Sequence, residues 1–423
     1  MPSDRTRAAA PLVVTGTGTI SPAGLGPARL WEAMAAGKAF FGTGDGRGGR
    51  TPALPWPIAA VDRSEIDWPA GEPWVDNRKY ANLAAHWAVA VALQALERSG
   101  RATAEDAPRG GTVIAVGSGG DELAEVIPRL AALAEHDPRP LAKLLYDEVP
   151  DYSYIRGIPS QMGQFVSMAS GFRGSNVAAY GETGAGGLGA LSLAVRLLES
   201  GELDRVLVVG VAPPMSVTAM AAFDQDEPFG TAAEAGRGPF DADRAGTLIG
   251  QGAAALMLER ADTARARGVR PLAGLLACET IAAADRRTAT AAALGSALDR
   301  AGRAPDLWWA HGAGSGPLDR EECEAVLPAV GGVPATSSKG TVGNAFECSA
   351  LIDAALTVET LGRGRLPQVG LLRRTDPALG PLDAVLDRPR TVPDATTALV
   401  TALNHGRGAA AAGALVLTRG ESR

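Results

Sequence analysis

Near-continuous apolar runs restrict what this chain can fold into more than any other feature. Residues 205–209 (Arg-Val-Leu-Val-Val), 253–258, 398–403 and 412–418 are each too short for a buried helix and show no alternating polar face, so they read as strands covered on both sides. Further strand candidates lie at 12–15, 112–116, 176–180, 272–281 and 307–310, and helical stretches at 80–99, 188–200, 286–301 and 350–361 fall between them. That alternation predicts a layered α/β architecture. The 53 glycines and 29 prolines supply turns and close helix–sheet contacts, and 423 residues at 46% hydrophobic content can bury a large core. Residues 259–270 read as a charged helical connection, which divides the chain into halves at 1–258 and 259–423.

Between the strand candidate at 176–180 and the helix candidate at 188–200 lies Glu182-Thr183-Gly184-Ala185-Gly186-Gly187-Leu188. This is the pattern of a strand-to-helix elbow, a turn that presents a side chain at a helix N-terminus, where backbone N–H groups and the helix dipole stabilise a thiolate or an oxyanion. No Cys or Ser occupies it. The stretch also lacks the Gly-Lys-Ser/Thr ending of a phosphate-binding loop and an acidic ribose partner downstream, so nucleotide binding is rejected.

A net charge of -7 without a basic stripe gives no basis for a nucleic-acid partner. The apolar run at 12–14 is too brief for a secretory core or a membrane span, so a cytoplasmic protein without membrane contact is expected. Cys278, Cys323 and Cys348 make neither a disulfide framework nor a metal cluster and read as free thiols, with Cys348 packing in a helix; no metal or cofactor is expected. His86 and His136 belong to no motif. Residues 137–162, rich in proline and tyrosine, read as an irregular surface excursion or a docking loop.

Landmarks along the whole chain resemble the beta-ketoacyl synthases of the thiolase superfamily. They include Val13-Val14-Thr15-Gly16-Thr17-Gly18, Gly117-Ser118-Gly119-Gly120, Arg237-Gly238-Pro239-Phe240-Asp241, Gly250-Gln251-Gly252, His311-Gly312-Ala313-Gly314 and Ser338-Lys339-Gly340-Thr341-Val342-Gly343-Asn344. The resemblance implies an α/β thiolase-like five-layer α-β-α-β-α sandwich of two pseudo-repeated halves. A condensing member of the family uses one Cys and two His, and here only His311 matches. The Cys position falls on Thr183 or Gly184, depending on which flanking residues are aligned, and the second His position is Asn344. Lys339 and Asp353 match the accessory lysine and acid.

A scaffold without the Cys is similar to the chain-length factor, or ketosynthase beta subunit, of type II polyketide synthases, although a glutamine is common there in place of the Cys. That likeness implies a noncatalytic subunit that heterodimerises with a ketosynthase alpha subunit, shapes the elongation tunnel, and meets acyl-carrier protein through its partner. It further implies a tunnel wall at Gly120, Leu123 and Ile127, a gate position at His405, and a dimer interface along 176–180. Two alternatives stay open: a stand-alone acyltransferase or malonyl-thioester decarboxylase using His311 and Asn344, and a scaffold that binds acyl-carrier protein.

Overall fold

The computed structural model describes residues 10–42, 56–71, 73–117, 130–131, 133–149, 151–158, 160–180, 183–215, 217–231, 236–405 and 410–420. Ten strands carry the fold: β1 Leu12–Ser21, β2 Gly110–Val116, β3 Asn176–Tyr180, β4 Arg205–Ala212, β5 Gly252–Arg260, β6 Ala273–Ala282, β7 Leu307–Trp309, β8 Ala335–Thr336, β9 Thr397–Leu403 and β10 Ala411–Arg419. With the short segment Gly24–Leu25 paired to β1, they form one eleven-stranded sheet in the order β8-β7-β9-β10-β6-β1-β5-β4-β2-β3.

This order is one motif used twice. Numbered within each half, both sides run first-fifth-fourth-second-third away from the middle. In both, the first and fourth strands pair antiparallel with the fifth, while the second is parallel to the fourth and to the third. The halves join where β1 meets β6 antiparallel, with Leu12 opposite Leu275 and Val14 opposite Ala273. Strand β5 runs on to Arg260, and the charged connection contracts to the helix Ala261–Ala266.

Six helices supply the other layers: α1 Leu83–Ser99, α2 Gln161–Ser170, α3 Gly186–Glu199, α4 Arg286–Ala301, α5 Gly316–Val330 and α6 Ser349–Arg363. Helices α1 and α2 cover the outer face of the first half, α4 and α5 the outer face of the second, and α3 and α6 lie between the halves. The two-residue side-chain period of a strand makes this possible. In β4, Val206 and Val208 point to the central helices while Leu207 and Val209 point to α1.

Two sequence expectations change. Residues 137–162 are largely helical, with helices Leu141–Glu148 and Ser153–Arg156 and the start of α2. Pro140 sits at the N-cap of the first of these, where its missing N–H has no helical partner to lose, so this proline punctuates a helix instead of excluding one. Arg139 ties the region together through Asp137, Asp147 and Glu148. β1 also continues past the expected end at Thr15 to Ser21, through Gly16 and Gly18. Among the described residues, no helix is long and apolar enough to cross a membrane.

Candidate functional site

The ends of β7 and β9, the N-terminus of α3 and the loop before α6 bring the site together. Residues Thr183–Ala185 make a single 3₁₀ turn that runs into α3 at Gly186. A Cβ placed on Gly184 would lie 2.0 Å from the Leu403 carbonyl oxygen and 2.8 Å from Cε1 of His311. A backbone oxygen cannot rotate away, so only glycine fits, and Gly184 faces the imidazole without offering it a nucleophile. The next N–H of the turn, that of Ala185, donates to Asn404 Oδ1 at 3.0 Å.

His311 follows β7 and is buried, and neither ring nitrogen has a hydrogen-bond partner among the described residues. Burial, with the nearby charges of Lys339, His405 and Arg286, holds its pKa well below the ordinary 6.5, so the ring is neutral at physiological pH. The loop that carries it hangs on Glu322 of α5. One carboxylate oxygen of Glu322 accepts His311 N–H at 2.7 Å and the Thr401 hydroxyl at 2.5 Å, and the other accepts Gly312 N–H at 2.9 Å. Gly312 has a φ of 48°, which suits glycine at this tight turn.

Burial pushes Glu322 up to about 7, against the pull of its three donors. A raised carboxyl pKa contributes stability that is present below the ordinary value and is lost as pH rises through about 7. Glu322→Gln is therefore expected to flatten the fall in stability between pH 5 and 8, by up to ~1.4 kcal/mol per pH unit, in urea titrations compared with the parent. Equal slopes would mean that the carboxylate stays ionised on its donors throughout.

Asn344 is buried and oriented by its loop. Its Oδ1 accepts Phe346 N–H and the Ser349 hydroxyl, each at 3.0 Å, while Nδ2 has no partner among the described residues. Its backbone is fixed by Asn344 N–H to Leu248 O at 2.7 Å and by Gly250 N–H to Asn344 O at 3.0 Å. Phe346 follows with a φ of 43°, a left-handed conformation unusual for a bulky residue. Lys339 and Asp353, both buried, form an ion pair, and the Ser338 hydroxyl donates to Asp353 at 2.5 Å.

His405 is buried and stacked on Phe229, with ring centroids 5.2 Å apart and planes 21° from parallel; Phe223 and Phe346 approach it edge-on. Beside this cluster, a cavity of about 10 Å³ lies among Ile58, Met215, Met220, Ile249, Phe346 and Glu347. That volume is near the minimum for one water, so among the described residues this cavity has no room for an acyl group.

The structure thus gathers Gly184 and His311 at the elbow, with Lys339 close enough for its charge to act on the ring and the Lys339–Asp353 pair close by. Gly120, Leu123 and Ile127 lie outside the described residues. Cys278, Cys323 and Cys348 are buried free thiols, each held protonated by burial. Sequence reasoning missed Glu322, Thr401 and Asn404. Glu322 had a readable signal: with Asp319 it puts two acids three positions apart on one face of a buried helix just after the glycine-rich His311 loop.

Residues 9–264 match the family described as Beta-ketoacyl synthase, N-terminal domain. The chain is 31% identical to the tetracenomycin polyketide synthase ketoacyl synthase beta subunit of Streptomyces glaucescens, across 94% of this chain and 97% of that protein. It is 28% identical to the alpha subunit of the same synthase, across 86% of this chain and 88% of that protein. Its fold matches the solved ishigamide ketosynthase/chain length factor with a TM-score of 0.78 at 23% identity, covering 97% of this chain and 100% of the other. The repeated sheet motif, the His311 and Asn344 loops at the elbow and these matches lead to one assignment: the chain belongs to the beta-ketoacyl synthase family.

Proposed function

We propose that this chain is a noncatalytic, chain-length-factor-like subunit that pairs with a condensing ketosynthase and shapes the channel in which a polyketide or polyene chain grows. The observation that carries this reading is Gly184, a position facing His311 that holds no nucleophile and has no space for one. A neutral His311 and the Asn344 amide can polarise a carbonyl by hydrogen bonding, but Asn344 cannot carry a proton between states near neutral pH. The likeness to a ketoacyl synthase beta subunit adds support.

The partner surface we favour begins at β3. This strand pairs only with β2 among the described residues, and Tyr180 at its end is 71% exposed. An open strand of this kind is a template for pairing with another sheet. Acyl-carrier protein would reach the pair through the catalytic partner. Gly120, Leu123 and Ile127 remain our candidates for the tunnel wall, and His405 for a gate position that no longer cycles.

Co-expression with a ketosynthase that has the Cys and both His tests the reading. The expected result is co-purification as an obligate dimer burying more than ~2,000 Å², with no acyl adduct on this chain by intact-protein mass spectrometry. A stable adduct on Thr183, together with condensation by this chain alone, would support the acyltransferase alternative. A well-folded monomer at micromolar concentration, both alone and beside the ketosynthase, would remove the partner reading.

A further inference from the structure

Glu227 lies just beyond the helix Val217–Asp226 and is buried. Its carboxylate accepts the Ser315 hydroxyl at 3.0 Å and pairs with Arg286 at 3.5 Å, and its backbone carbonyl accepts His405 Nε2–H at 3.1 Å. These contacts join three segments that are far apart in sequence: the loop after His311, the first turn of α4, and the chain leaving β9. Arg286 also donates to Glu321 of α5 at 2.7 Å, which fixes the cation from a fourth direction. Phe229, two positions beyond Glu227, carries the ring on which His405 stacks, and its N–H is held by Asp224 at 2.8 Å.

The segment clamped in this way is the one that covers the elbow. Leu403 places its carbonyl against Gly184, Asn404 takes the Ala185 N–H, and His405 is fastened to Glu227. We propose that Glu227 is the positioning residue of a clamp that holds residues 403–405 down on the elbow, so that the acyl-holding position stays covered. The missing nucleophile and the closed cover are then two separate features. The clamp belongs to this chain alone and does not depend on the partner reading.

Backbone hydrogen exchange on the full chain tests it. Glu227→Ala keeps the backbone carbonyl that meets His405 but removes the carboxylate's anchors to Ser315 and Arg286, so exchange at Ala185 and residues 403–405 is expected to rise about tenfold or more, while β4 and β5 keep the parent's protection, because loosening a clamp opens a local unit without global unfolding. Glu227→Gln retains an acceptor for Ser315 but loses the ion pair, so a smaller rise is expected. Ser315→Ala should loosen the same residues and no others. Unchanged exchange at 403–405 in Glu227→Ala, or an equal rise in β4 and β5, would overturn the proposal. Should Glu227→Ala fail to fold, the Gln and Ser315 variants decide by the same local readout.

Discussion

Replacing Asp353 by alanine should destabilise the chain by ~3–5 kcal/mol, because it strands the Lys339 ammonium in the core without its counter-charge. Lys339 is 1% exposed and Asp353 is fully buried, so water cannot substitute for the carboxylate. The Ser338 hydroxyl loses its acceptor as well. The charge of Lys339 helps to hold His311 neutral. The double variant Lys339→Met, Asp353→Leu separates pairing from packing. A buried ion pair replaced as a unit by apolar groups of similar size is often neutral or stabilising, so the double variant should recover most of the loss in urea titrations. A double variant as unstable as Asp353→Ala would show that the pair gives the loop between Ser338 and Asn344 a shape that apolar groups cannot supply.

The apolar runs made most of the sheet legible, because a strand covered on both faces has few sequences open to it. β3 begins and ends where the pattern placed it. β1 did not, and the reason is physical. Gly16 and Gly18 lie beyond the apolar run that marked the strand, yet a Cβ on Gly16 would stand 2.1 Å from the Ala95 carbonyl, and one on Gly18 2.3 Å from that of Val91. These glycines let α1 lie directly on the strand, a tertiary reason for glycine that a local reading cannot separate from a turn.

The site divides in the same way. His311, Lys339 and Asn344 stood out because each belongs to a contiguous motif, and Asp353 because it matches the family's accessory acid. Asn404 and Glu227 act on residues 219 and 178 positions away, respectively, and no local pattern announces such partners. The closeness of Gly184 to His311, 127 positions away in sequence, likewise shows only in the packing.

Gly184→Cys puts a thiol at the elbow beside His311, and it is expected to fail on steric grounds before any chemistry begins. The new Cβ would meet the Leu403 carbonyl at 2.0 Å and Cε1 of His311 at 2.8 Å, so either the elbow or the end of β9 must move. Overpacking of this kind commonly destabilises by ~1–3 kcal/mol, and here the obstacle is backbone, which puts the loss at the upper end of that range. A thiol that did fit would find an amide rather than an imidazole at Asn344, whose Oδ1 is committed to Phe346 and Ser349. The variant should therefore melt below the parent and show no condensation with acyl and malonyl thioesters. Combining Gly184→Cys with Asn344→His supplies both groups but leaves the carbonyl of Leu403 in place, so the double variant should remain inactive too. Turnover by either variant at parental stability would mean that residues 403–405 swing clear of the elbow at little cost, and the cover over Gly184 would then be an ordinary mobile gate.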